Sequence, residues 1–537
     1  MKKIFIISFI LFFAVSSNTF SKDKGDGRPN GGALSYGEFG RPATLDPITS
    51  NEMIAVRIVE LIFNGLVGIN EKQEVVPELA DKWEISPDNR TFTFHLRKDV
   101  LWHKPQGTAE DRYLSADDVI FTYNIMSHLK TITPLKLRYE FIQEVKKVDS
   151  DTVQFTLKRP ILNALAKFTF KIIPKHGPRN QEFLTRDDPF VQNPIGTGPY
   201  YLKTVTSDGE IVLLSNENYF KGRPHIDKLI AKPFADQNIM TQALMFNAID
   251  MMVLVNPRNI PEIEGDKRFI LYPYNALSYS FFGYNLKNPF LADKKVRKAF
   301  TYAINRQEML ESFFNGRGTI ISGPFAPGSW AYNLDIKPLP YDPAKAKELL
   351  SEAGFKDTNG DGIVEKDGKP FTAVLKVPIE KESEAVKRVV LAFQNYLKNV
   401  GVDVKVEFRE WQAWKEDVFA ENNFDIIFAS WVFDDSADIS SLFHSGEIGQ
   451  WKNNFGGYSN PAVDALIAES KLTLDFEKRR TINQKLHSII ADENPYTFLW
   501  TLTNYAGVQK KVRKVEIHPY KFFSFADEWF IPEAEQK

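Results

Sequence analysis

Strand-like and helix-like segments alternate along almost the whole chain, and this alternation limits the possible folds more than any other feature. GALSY reads as a first strand, and MIAVRIVELIFNGL as an amphipathic helix with apolar residues at helical spacing. In VVPELADKWEISPDNRTFTFHLRKDVLWH the polar turn Ser86 to Asn89 separates two short alternating strands, the pattern of a hairpin. SADDVIFTYNIM then opens a helix with Ser115 as its N-cap. TVQFTLKRP, EIVLLSNENYF, VDVKVEFRE and FDIIFASW read as further strands; DKKVRKAFTYAINRQEMLESFF, SEAVKRVVLAFQNYLKNVG, PAVDALIAESKL and EKRRTINQKLHSIIADE read as helices. Asp342, Pro343 and Gly354 frame AKAKELLSEA with a cap, a first-turn proline and a terminating glycine. No internal repeat interrupts this order, so the sequence predicts α/β lobes rather than a solenoid. With 537 residues the chain exceeds one ordinary core and fits two or three domains.

The opening MKKIFIISFILFFAVSS has two lysines, an apolar run from Ile4 to Val15 and then small polar residues, which is the pattern of a secretory leader cleaved near Ser21. Its apolar run is short for a permanent span. The expected destination is the periplasm, as a free, monomeric protein. The chain contains no cysteine, which excludes disulfides, thiolate metal sites and a thiol nucleophile. A formal net charge of -2, with no basic stripe, argues against nucleic acid as a partner.

Motifs for catalysis are missing. The eight histidines are scattered and none has a partner at i+4, as a zinc hydrolase would require. There is no nucleophile elbow, no phosphate-binding loop and no dinucleotide fingerprint; Gly196-Thr197-Gly198-Pro199 lacks the lysine and helix of a phosphate cradle. DTNGDGIVEKDG, residues 357–368, begins like an EF-hand loop, with Asp357, Asn359 and Asp361 at ligand positions and Gly362 at the sharp turn. It then fails that register, because Gly368 stands where a bidentate glutamate belongs and a strand follows instead of a helix. A bare turn and a weak cation site on Asp357, Asn359 and Asp361 are the two readings left. Asp117 and Asp118 suit the first turn of a helix. Asp434 lies just past the apolar strand FDIIFASW, where open α/β sheets place ligands. Trp431, Trp411, Trp414 and Tyr36 stand near predicted strand ends, in position to line a cleft.

Several of these stretches together resemble the extracellular solute-binding proteins of family 5, the periplasmic oligopeptide and dipeptide receptors of ABC importers. VVPELADKWEISPDNRTFTFHLRKDVLWH with SADDVIFTYN, NPIGTGPYYL, NENYFKGRPHIDKL, NPFLADKKVRKAFTYAINR, YDPAKAKELLSEAGF, FDIIFASW and YSNPAVDALIAES occur in family order over nearly the whole chain. The resemblance implies a two-lobed periplasmic binding protein fold of the α/β class, with mixed sheets, an extra inserted subdomain and a two-stranded hinge formed by SYSFFGYNL and YTFLWTLT. Lobe I is expected over residues 22–62, 194–281 and 500–537, the insertion over 63–193 and lobe II over 282–499.

The implied function is capture of peptides between the lobes and delivery to an ABC permease of the inner membrane, with no cofactor and no catalysis. The family's W-x-x-D element, whose aspartate meets the peptide α-ammonium, matches Trp431-Val432-Phe433-Asp434. Ser430 stands before it where the family often has glycine. Arg409 and Lys415, close in sequence to the aromatic cluster, are the cations considered for a ligand carboxylate. The alternatives are a non-peptide ligand on the same fold (a murein peptide, chelated metal, haem or oligosaccharide) and, more remotely, a secreted hydrolase.

Overall fold

The computed structural model describes residues 27–536 apart from 51, 71–73, 105–109, 134, 162, 179–181, 186–187, 277, 380–383, 434–436, 474 and 519–520. The expected leader therefore lies outside the described residues, and so does Asp434. No helix among the described residues is long and apolar enough to cross a membrane.

The larger of two main sheets has eight strands. Ala33–Phe39 lies inside it, parallel to Lys228–Phe234 on one side and to Met251–Met252 on the other. Ile211–Ser215 and Tyr200–Val205 extend the first side; Trp500–Gln509 and Phe269–Asn275 extend the second, with Gly318–Ile320 pairing the start of Trp500–Gln509. Period-two alternation sends Met251 into one apolar cluster and Met252 into another. The helix Gln237–Met245, capped by Asp236, packs Met240 and Leu244 on the second face.

The smaller main sheet runs Asp403–Arg409, Thr372–Pro378, Ile426–Val432, Ser278–Tyr284, Tyr496–Phe498. Both of its faces are covered, which explains why FDIIFASW and SYSFFGY read as nearly continuous apolar runs. Phe282, Tyr284, Ile426 and Phe428 enter one cluster with Phe393 of the helix Glu384–Lys398, while Tyr279, Phe281 and Ile427 enter the other.

A third, antiparallel sheet orders Ala80–Ile85, Thr91–Leu96, Thr152–Leu157 and Ile142–Lys147. Its Phe92, Phe94 and Phe155 share one continuous cluster with Leu34 and Tyr36 of the large sheet. The helix Ala116–Ser127 is capped through Asp118, whose Oδ2 accepts the backbone N–H and the hydroxyl of Ser115, each at 2.9 Å. Asp117 meets Lys147 at 2.6 Å, so this carboxylate pair serves the fold.

Two features differ from the sequence reading. DKKVRKAFTYAINRQEMLESFF forms two helices, Lys294–Ala303 and Arg306–Phe314. The break falls at Asn305, whose side chain accepts the Glu308 N–H at 3.1 Å and so starts a new helix instead of continuing the old one. The buried Arg306 guanidinium then donates to the Phe498 and Leu339 carbonyls. The second lies near the boundary expected between 281 and 282: Ser278–Tyr284, which spans it, pairs along its full length with Ile426–Val432 of the smaller main sheet.

The Gly196-Thr197-Gly198 turn has a packing role. Gly198 donates its N–H to the Ile62 carbonyl at 2.8 Å, closing off the helix Met53–Ile62. A Cβ on Gly196 would lie 1.9 Å from that oxygen, so only glycine fits there. His103 completes the turn: its Nδ1 accepts the Gly196 N–H at 3.2 Å, and its Nε2 donates to the Gly198 carbonyl at 2.9 Å.

The chain passes between the two main sheets after Phe269–Asn275, before Ser278–Tyr284, and again at Leu499. The crossings run side by side: Ala276 donates to the Leu502 carbonyl at 3.0 Å, and Leu499 donates to the Ser280 carbonyl at 3.0 Å.

Candidate functional site

The strand Ile426–Val432 is paired along one edge only in part. Ser278–Tyr284 follows it residue by residue from Ile426 to Val432, but Thr372–Pro378 meets it only at Ile426 and Ile427. Beyond Ile427, no strand among the described residues pairs with that second edge. Backbone groups of the strand's C-terminal half are thereby left for another extended chain. The large sheet repeats this arrangement: Ala33–Phe39 is fully paired with Lys228–Phe234 but meets Met251–Met252 only at Tyr36 and Gly37.

Beside the open edge of Ile426–Val432 lies a cavity of about 200 Å³ lined by Pro378, Val386, Trp411, Trp414, Phe419 and Trp431, among others, with Ser430 at its border. Four of the sequence candidates, Trp411, Trp414, Ser430 and Trp431, therefore meet at one place. Trp431 is held by aromatic packing, with its ring stacked on Phe281 at 6.1 Å and 15°. Phe281 in turn stacks on Tyr496 at 4.3 Å. Ser430 is exposed, with its hydroxyl 3.0 Å from that of Ser280 on the neighbouring strand. Trp411 begins the short helix Trp411–Lys415, stacks on Trp414 at 5.3 Å and 11°, and stays 52% exposed. The Lys415 ammonium sits over the Trp411 ring at 5.6 Å, where it strengthens the rim of the cavity as a cation–π partner.

The other candidates are placed elsewhere. Tyr36 belongs to the large sheet, is fully buried and packs on Phe523 with ring centroids 4.9 Å apart. Burial, and the neighbouring Glu38 carboxylate, push its hydroxyl well above the ordinary tyrosine range, which leaves it a neutral group. Arg409 is bound to Asp417, Nε to Oδ2 at 2.9 Å, and shares that carboxylate with Lys376.

That aspartate belongs to a network the sequence did not reveal. Asp417 and Lys376 are both buried, with side chains 6% exposed, and they meet at 3.1 Å. Trp414 donates its indole N–H to the Lys376 carbonyl at 3.2 Å. These two bonds fix the Trp411–Trp414 wall to the strand Thr372–Pro378. Phe455 also escaped sequence reasoning, since it reaches the cavity from a loop with no periodic signal; it stacks on Tyr496 at 5.7 Å and 4°.

A second, wider depression of about 750 Å³ opens at the start of Ile426–Val432, lined by Lys376, Glu407, Arg409, Asp425 and several asparagines. Its polar groups are largely engaged with one another: Asn288 donates to Asp425 at 2.8 Å, and the same carboxylate accepts the Val374 N–H at 2.8 Å. The smaller cavity has apolar walls beside unpaired backbone, which better suits an extended ligand carrying side chains.

The bacterial extracellular solute-binding proteins of family 5 have a family model that matches residues 74–453. The chain is 30% identical over 524 residues to the oligopeptide-binding protein AppA of Bacillus subtilis, covering 96% of this chain and 94% of that one. It is 29% identical over 507 residues to the dipeptide-binding protein of Escherichia coli, covering 90% and 92%. The structure of AppA from Bacillus subtilis in complex with a nonapeptide superposes with a TM-score of 0.73 at 29% identity, covering 94% of this chain and all of that one.

Proposed function

Since the chain belongs to the bacterial extracellular solute-binding proteins of family 5, we propose that it captures peptides and hands them to an ABC permease of the inner membrane. The observation that carries this reading is the half-open edge of Ile426–Val432 next to the tryptophan-lined cavity. A peptide in extended form satisfies such an edge through its backbone, whatever its sequence. Alternate side chains then point the same way, and one of them enters the cavity. Relatives named for oligopeptides and dipeptides, one of them solved with a nonapeptide, support this ligand class.

In this reading the paired crossings at Ala276 and Leu499 act as the hinge, and closure around the ligand forms the surface that the permease reads. The protein returns its ligand unchanged. The aspartate at position 434, two residues beyond the open-edged strand, is assigned to the peptide α-ammonium, as the W-x-x-D element implies.

The direct test is calorimetry with short peptides on protein stripped of co-purified ligand, with mass spectrometry of whatever is released. Binding of peptides recovered intact is the expected result; shortened peptides would identify a hydrolase, and binding of only a non-peptide compound would overturn the ligand class. Trp411→Ala should weaken peptide binding about tenfold to a hundredfold, as loss of a partly exposed aromatic anchor does, without lowering the unfolding midpoint. Asp434→Asn should cost about 2–5 kcal/mol of binding if the ammonium is desolvated on closure. Unchanged affinity would remove Asp434 from the site.

A further inference from the structure

We propose that residues 357–365 form a calcium site that clasps the loop between the helix Pro343–Glu352 and the strand Thr372–Pro378, with Asp357, Asp361 and Glu365 as its carboxylate ligands. The local sequence is Asp-Thr-Asn-Gly-Asp-Gly-Ile-Val-Glu. Read in a twelve-residue register this loop lacks its last acid; in the structure that acid arrives three positions earlier. Lys356 and Glu365 form an antiparallel bridge, with N–H to carbonyl distances of 3.0 and 2.8 Å, which folds the ninth residue of the loop back beside the first.

One carboxylate oxygen each from Asp357, Asp361 and Glu365 then lies within 4.8 Å of the others. Three anions at that separation repel one another unless a cation sits among them. The loop is already wound for one. Asp357 accepts the N–H of Gly360 at 2.7 Å and of Gly362 at 3.0 Å; Asn359 and Asp361 each accept an N–H two residues on at 2.8 Å. Gly362, at φ +87°, makes the turn that such loops reserve for glycine.

Glu365 points to a ligand independently of this acidic cluster. It is only 8% exposed. Its Oε2 is engaged, accepting the Thr358 N–H at 2.8 Å and hydroxyl at 3.0 Å. Its Oε1 is buried and has no hydrogen-bond partner among the described residues. The next cation along the chain, Lys366, lies over the Phe355 ring at 5.3 Å. A buried carboxylate oxygen without a donor, on a side chain that has an oxygen within 4.8 Å of two more carboxylates, favours a positive charge beside it. All the donors are oxygens, and the Asn359 side chain lies beside them, accepting the Asp361 N–H at 2.8 Å and donating to the Asp361 carboxylate at 3.0 Å. Such a hard, flexible set suits Ca2+ better than the stricter octahedron of Mg2+ or the nitrogen and sulfur preferences of Zn2+.

The site leads into the N-terminal end of Thr372–Pro378, whereas the tryptophan cavity is at its C-terminal end, about 20 Å away by strand geometry. The ion therefore acts on stability and leaves the peptide contacts unchanged. The test uses the whole mature protein, treated with chelator and then melted with and without 5 mM CaCl2 or MgCl2, together with calcium titration calorimetry. With a Kd of about 10⁻⁴–10⁻³ M, as in extracellular modules, calcium should raise the melting midpoint by about 1–2 °C, and magnesium by much less. Asp361→Asn and Glu365→Gln should abolish the shift; Asp361 is exposed, so its variant keeps the fold even if that of Glu365 does not. Absence of any calcium-dependent shift and heat, an equal shift with magnesium, or a shift that survives in Asp361→Asn would each overturn the assignment.

Discussion

Replacing Asp417 by asparagine is expected to destabilise the protein by about 3–5 kcal/mol, the usual cost of leaving a buried charge without its partner. The Lys376 ammonium, 3.1 Å from Asp417 and equally buried, would lose the only carboxylate that it meets among the described salt bridges. Arg409, which shares that carboxylate, is 42% exposed and can turn to water, so the loss falls on Lys376. Denaturant unfolding measures the effect as a lowered midpoint. The double variant Lys376→Met/Asp417→Leu should recover most of the loss, since two apolar groups remove the unpaired charge as well as the pair. An unchanged midpoint in the single variant would mean that Lys376 reaches solvent or another acceptor. Because Trp414 bonds to the Lys376 carbonyl, the single variant should also loosen the cavity wall and weaken ligand binding.

Acidification should cost more in total. Burial pushes the pKa of His103 and of His487 down to about 4, from an ordinary 6.5. The geometry gives the reason. In His103 both ring nitrogens are committed, Nδ1 accepting from Gly196 and Nε2 donating to Gly198. In His487, Nδ1 accepts the Asn333 N–H at 3.0 Å, and Nε2 donates to the Ser322 hydroxyl at 3.0 Å. A second proton has to go on Nδ1, where it would displace a backbone N–H.

Each histidine therefore contributes stability that is fully present above pH 6.5 and is lost as the pH falls toward 4, up to about 3 kcal/mol apiece. Glu38 and Asp46, held above the usual carboxylate range by burial, act in the opposite direction over the lower part of this window. Comparing unfolding free energies of the natural protein and a His103→Asn variant from pH 7.5 to 4.5 isolates the histidine contribution. The variant should be less stable at pH 7.5 and show a shallower fall. Parallel curves would mean that His103 does not titrate in this range.

How much of this was legible in the sequence depends on whether a residue acts through its neighbours in the chain or through distant ones. FDIIFASW announced a doubly covered strand because both faces are apolar, and Ser115 and Asp342 announced helix starts because capping is local. The half-open edge was not legible, since it depends on where Thr372–Pro378 stops pairing with Ile426–Val432. Lys376 reads as the solvent-facing member of a strand, and only the fold brings Asp417 against it. Asn305 looked like one residue of a long helix until Arg306 had carbonyls to bind on another strand. Glu365 was passed over because the loop was compared with a twelve-residue register, while a backbone bridge closes it after nine.

The strand Trp500–Gln509 also has a consequence in time. It lies between Phe269–Asn275 and Met251–Met252, and Phe269–Asn275 has no other strand partner among the described residues. The larger sheet is therefore finished late: it waits for residues made more than two hundred positions after Phe269–Asn275. Pairings of such long sequence separation form slowly. During synthesis, the strands between Ala33 and Met252 can pair early, while Phe269–Asn275 waits for Trp500–Gln509 until nearly all of the chain has been made.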